Sequence, residues 1–116
     1  MQIEKDEVKK FLLSWTNGVV DIGIANEEKR DFKRAAIDFL NHHYAFDEGD
    51  VMFKPTFTTI KLFRNNFEEA LSYFIGGAFD EDNGFALKPW VKIELGQEPN
   101  IRLINDIAYA MGSLNF

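Results

Sequence analysis

Cysteine is absent from all 116 residues, which removes disulfides, thiolate metal sites and a cysteine nucleophile together and leaves no redox marker of compartment. Positive charge is also scarce. Thirteen Lys and Arg stand against nineteen Asp and Glu, a net charge of −6, the wrong sign for a partner bound mainly through phosphate neutralisation. Neither nucleic acid nor an anionic membrane surface is therefore an expected partner. No apolar run approaches the roughly 18 residues of a membrane span, and the opening MQIEKDEVKK is too charged for a signal peptide. The expected location is cytoplasmic. The Walker-type glycine loop, the dinucleotide fingerprint, HExxH and GxSxG are missing too, so their chemistries have no support. Repeats, linkers and low-complexity segments are lacking.

What is present is apolar material: 46% of residues are hydrophobic and twelve are Phe, enough for one core in a single domain spanning 1–116. Val8, Leu12, Trp15, Val19 and Ile22 recur at helical spacing and predict a first helix ending near Asn26. Phe32, Ala36, Phe39 and His43, with Ile37, Leu40 and Tyr44 alongside, predict a second. Asn66 three residues before Glu69, an apolar face of Phe67, Leu71, Phe74 and Ile75, and the stop Gly76-Gly77 predict a third.

Short strands are expected at Val51–Phe53, which Pro55 ends or holds at an edge, and at Ile60–Phe63. Phe85, Leu87, Val91, Ile93 and Leu95 alternate with Lys88, Trp90, Lys92 and Glu94, the strongest strand signal in the chain. A last strand, Ile107–Phe116, follows a turn at Asn105-Asp106, with Pro99-Asn100 as an earlier turn. Helices first and strands afterwards indicate an α+β layer, with helices covering one face of an antiparallel sheet.

The stretch HHYAFDEGDVMFKP (residues 42–55) invites a metal or acid–base reading. Adjacent helical residues point about 100° apart, so His42 and His43 cannot share one metal from a regular helix. His43 continues the apolar stripe, where a hydrogen-bonded core histidine is the commoner use. DEGD and DEDNG fail the calcium-loop spacing and read as solvated acidic turns. No metal and no cofactor are expected. Lys54, Arg64, Tyr73 and Lys88 lie beside aromatic or proline residues and suit an anionic small molecule, although lysines also snorkel along apolar surface. Trp15 and Tyr44 join them as aromatic members of the ligand-binding set, packing being their commoner use. Trp90, on the polar side of its predicted strand, is expected at a subunit interface.

The series YAFDEGDVMFKPT, LFR, ALSYFIGG, GFALKPW and AYAMG resembles an uncharacterised bacterial family of the nuclear transport factor 2-like superfamily, which includes SnoaL-type cyclases and ketosteroid isomerase. The resemblance covers about Trp15 to Phe116. It implies a cystatin-like cone, three helices on the concave face of a curved antiparallel sheet, with a pocket between them and a homodimer formed through the sheet. It places Tyr44, Asp47, Gly49, Lys54, Pro55, Arg64, Tyr73, Gly76, Gly77, Lys88, Pro89 and Trp90 at motif positions. Some relatives carry the label phosphoribosyl-AMP cyclohydrolase, whose familiar form binds zinc through cysteine, which this chain lacks. Relatives also continue into two more strands, the last with a His-His-Ser-Ser run. The function so implied is an uncharacterised dimeric pocket protein for a small apolar or anionic ligand. Its alternatives are an isomerase or cyclase with Asp47 or His43 as base and Tyr73 as donor, and a non-catalytic association module.

Overall fold

The computed structural model describes residues 3–88 and 90–116; Pro89, one of the motif positions above, lies outside them. Three helices come first: α1 (Lys5–Glu27), α2 (Phe32–His43) and α3 (Phe67–Ile75). Each begins where a side chain takes up a free end. The Glu4 amide donates to Glu7 Oε1, Asp31 accepts from the Arg34 amide, and Asn66 accepts from the Glu69 amide at 3.0 Å. Such caps satisfy amides that have no partner within the helix. Gly76 then ends α3 at φ 83°, a conformation that costs glycine nothing.

The apolar stripes meet as their spacing requires. Val19 and Ile22 of α1, Ala36, Phe39 and Leu40 of α2, and Ala70 and Phe74 of α3 are buried in one core with Ala86 and Ile93. Gly23 lets α1 lie close against the segment after α3, because a Cβ there would sit 2.9 Å from the Ala86 carbonyl oxygen. Gly23→Ala should gain about 1 kcal/mol of helix propensity and still lower stability by about 1–3 kcal/mol, the usual cost of forcing extra volume into a packed interface. A urea midpoint measures it; a rise in midpoint would show that the two backbones separate freely.

The strand half of the molecule is smaller than the sequence suggests. Strand β1 (Glu94–Leu95) pairs antiparallel with β4 (Leu114–Asn115), and β2 (Asn100–Ile104) pairs antiparallel with β3 (Ile107–Met111) in register Ile104↔Ile107. The β2–β3 turn is Asn105-Asp106, with Asn105 at φ 55°. The architecture is thus α+β, with three helices and two small antiparallel sheets.

Four expected strands are corrected. Val51–Phe53 is extended, but only two backbone hydrogen bonds tie it to its neighbour, Val51 N to Asn65 O and Arg64 N to Phe53 O. Around Ile60–Phe63 the amides of Ile60 and Lys61 go to the Glu81 carboxylate rather than to a ladder. The expected strand from Phe85 to Leu95 does not form: Gly84 adopts φ 76°, Phe85–Leu87 forms a tight 3-10 turn, and among the described residues only Glu94–Leu95 pairs. Of its alternating apolar residues Ile93 is buried in the core, Phe85 and Leu87 pack partly against it, and Val91 is exposed. The expected last strand is split at Gly112-Ser113 into β3 and β4. Among the described residues no helix is long and apolar enough to cross a membrane.

Candidate active site

Arg64 organises the region below α3. Its side chain is 0% exposed and forms a two-pronged ion pair with Asp82, Nη1 to Oδ2 at 2.7 Å and Nη2 to Oδ1 at 2.8 Å. Nε donates to the Lys61 carbonyl, Nη1 also donates to the Glu69 carbonyl, and the guanidinium stacks 4.5 Å from the Phe79 ring centroid. Asp82 accepts in addition from the Ser72 hydroxyl, whose oxygen accepts from the Ala78 amide. A planar fork matched to a carboxylate is the geometry that makes a buried pair tolerable.

Beside it, Glu81 accepts from the backbone amides of Thr59, Ile60 and Lys61 and from the Thr59 hydroxyl. The Thr59 and Lys61 amides foremost hold its carboxyl at about 2, below its ordinary 4.5. The unfolded chain therefore binds more protons than the folded one across that interval, so this contribution to stability is complete above about pH 4.5 and lost as pH falls toward 2. Urea midpoints measured from pH 5 to pH 2.5 should decline in the wild type and more shallowly in Glu81→Gln. Equal slopes would show that this carboxylate does not drive acid sensitivity.

Glu81 and Asp82 also border a cavity of about 330 Å³ with Phe57, Tyr73, Asn83, Phe85, Lys88 and Trp90. Its wall is aromatic: Phe85 stacks on Tyr73 at 5.3 Å and lies 5.6 Å from Trp90. Two polar groups stand out. The Tyr73 hydroxyl is buried and has no hydrogen-bond partner among the described residues, although the Phe57 backbone lies near enough to act on it and to lower its pKa in part. Burial, above all, raises its pKa, so the phenol keeps its proton and remains a donor at neutral pH. The Lys88 ammonium lies 4.9 Å from the Trp90 ring centroid. A larger groove of about 820 Å³ runs between α1 and residues 91–99, bridged by the exposed Lys9–Glu98 ion pair; no unpartnered buried side-chain polar atom of a described residue faces it.

Of the residues expected to bind a ligand, only Tyr73 and Lys88 border the 330 Å³ cavity. Trp15 donates to the Tyr44 hydroxyl at 3.0 Å, and burial pushes the Tyr44 phenol up to about 12 despite that bond. Lys54 is exposed and, among the described residues, reaches only the Thr56 carbonyl. Arg64 lies beneath the cavity, committed to Asp82, and does not sit at its mouth. Trp90 is half-buried in the cavity wall, its Nε1 donating to the Phe85 carbonyl, so it does not project from the outer face of a sheet.

The candidate bases lie elsewhere. Asp47 is exposed in the short turn Phe46–Glu48. His43 has both ring nitrogens engaged: Nδ1 donates to the Phe39 carbonyl, and Nε2 lies 2.8 Å from Ser14 Oγ. Burial lowers its pKa. No cluster of three His, Asp or Glu side chains that could hold a metal occurs among the described residues. The loop Asp80–Gly84, expected to be a solvated turn, instead supplies Glu81 and Asp82. The clue available in the sequence was an arginine inside apolar sequence, which needs a carboxylate from somewhere.

The family model for metal-independent carbonic anhydrase matches residues 6–116. The metal-independent carbonic anhydrase of Nostoc sp. (strain PCC 7120) is 32% identical over 117 residues, covering 97% of this chain and 57% of the relative. This chain thus spans a little over half the length of that curated relative. The crystal structure of the iota-carbonic anhydrase from a cyanobacterium, complexed with bicarbonate, superposes with a TM-score of 0.90 at 31% identity, covering 97% of this chain and 71% of that one. These findings overturn the resemblance to the nuclear transport factor 2-like and SnoaL proteins. With it go the uncharacterised pocket protein, the isomerase or cyclase and the association module. The chain belongs to the metal-independent carbonic anhydrase family.

Proposed function

We propose that this chain interconverts carbon dioxide and bicarbonate, and that the 330 Å³ cavity is where it does so. The observation that carries this reading is Tyr73, which borders an aromatic-walled cavity and whose buried hydroxyl has no hydrogen-bond partner among the described residues. An unpaired buried polar group costs stability and calls for an explanation, and a ligand oxygen supplies one. Family membership and the bicarbonate bound in the structural relative support bicarbonate as that ligand.

Carbon dioxide is linear, apolar and small, suited to a wall of Phe57, Phe85 and Trp90. When a water oxygen bonds to its carbon, one C=O π bond opens and negative charge gathers on the carbon dioxide oxygen of that bond. In this reading the Tyr73 phenol donates to that oxygen and stabilises the charge. The attacking water must also lose a proton. Glu81, held near 2, is too weak a base to retain it at neutral pH; Asp82 is committed to Arg64 and Ser72; both histidines of the chain lie outside the cavity lining. The proton therefore passes to solvent or buffer through the open side. The finer shape in this reading is an open-sided cone, with α1 laid across the small sheets.

Stopped-flow hydration with a pH indicator, after exhaustive chelation and metal analysis, tests the activity. We expect hydration above the buffer rate that chelation leaves unchanged. A rate equal to buffer alone at micromolar protein would refute it.

A further inference from the structure

A site for an anion must answer for its charges. Two carboxylates, Glu81 and Asp82, border the cavity, and at short range like charges disfavour an incoming anion. Arg64 offsets Asp82 through its two-pronged pair. The Glu81 charge is met by backbone dipoles and, at the longer distance of 3.4 Å, by Arg64 Nη2. Arg64 is one cation against two acids, which leaves the wall one negative charge in excess. Lys88 is the remaining cation on that wall, and among the described residues it makes no ion pair with a carboxylate. Its ammonium is held against the Trp90 ring face, a contact that attracts a cation and leaves its outward N–H groups free.

We propose that Lys88 makes this cavity selective for an anion and sets its affinity for bicarbonate, with nitrate as a probe of the same charge. Tyr73 orients one oxygen while Lys88 supplies the charge. The proposal rests on the assignment of this cavity as the bicarbonate site, and it adds the residue that decides affinity. Lys92 provides an internal control: it borders the other groove, pairs with Glu94 at 3.4 Å, and carries the same charge.

The test is a ¹H–¹⁵N NMR titration of the full chain with sodium bicarbonate, and separately sodium nitrate, at constant ionic strength. Signal dispersion reports at the same time that each variant is folded. In the wild type the amides of Asn83 to Leu87 should shift saturably with both anions. Lys88→Met should raise both dissociation constants about tenfold or more, Lys88→Arg should stay within about threefold of wild type, and Lys92→Met should bind as wild type. The proposal is overturned if Lys88→Met binds with the wild-type constant, if Lys92→Met weakens binding equally, or if no saturable shift occurs in the wild type. Anion binding that depends on Lys88 in a protein without hydration activity would uphold this inference and refute the proposed activity. Hydration with anion binding indifferent to Lys88 would do the reverse.

Discussion

Replacing Arg64 with methionine is expected to lower unfolding free energy by about 3–5 kcal/mol, the range for removing one partner of a buried ion pair. The guanidinium is fully buried and Asp82 is 1% exposed, so solvent cannot replace the lost bonds. Methionine fills much of the volume but leaves the Asp82 carboxylate without its fork and the Lys61 and Glu69 carbonyls without a donor. Against a domain stability of roughly 5–15 kcal/mol, that loss threatens folding. The discriminating comparison is the double variant Arg64→Met with Asp82→Leu, in which no charge of the pair remains buried. It should recover part of the loss, because the cost of the single change is mainly an orphaned carboxylate. If the double variant is destabilised by the full sum of the two single changes, packing and not charge holds this region together. Urea melts by circular dichroism read all three.

Tyr73→Phe is expected to act in the opposite way, sparing the fold and removing the chemistry. The change deletes one oxygen that has no protein partner among the described residues, so stability should stay level or rise slightly, since an unsatisfied buried polar group is a cost in the resting protein. If that hydroxyl stabilises the oxygen on which charge develops, kcat/KM for hydration should fall by about 10²–10³, the usual effect of deleting one such donor. A loss of stability together with activity would indicate a structural hydroxyl. Unchanged activity would remove Tyr73 from the reaction.

Helices were legible in the sequence because their signals are local. The spacing of Val8, Leu12, Trp15, Val19 and Ile22 needs only its own neighbours to form α1, and Asn66 caps α3 from within the same turn. The strands were misread because alternation records burial, not pairing. Phe85, Leu87 and Ile93 alternate as a strand would, yet Gly84 turns the chain and packing against helices satisfies them singly. The cavity was legible only in part. Tyr73 and Lys88 showed through their apolar neighbours, whereas Asp82 and Glu81 sat in an acidic loop whose role depends on partners 17 to 22 residues away. Trp15 and Tyr44 meet each other, and Trp15 borders a separate cavity of about 270 Å³. The motifs point to the wrong family because each is short and carries little information alone.

The most direct measurement of the central claim is loss of ¹⁸O from labelled bicarbonate to water, followed by mass spectrometry at chemical equilibrium, since it reports the making and breaking of the carbon–oxygen bond itself. For the chelated wild-type chain the account predicts exchange faster than the uncatalysed rate, unchanged by further chelator and brought near background by Tyr73→Phe. Exchange at the uncatalysed rate in a well-folded wild-type sample, or exchange in Tyr73→Phe equal to wild type, would contradict it.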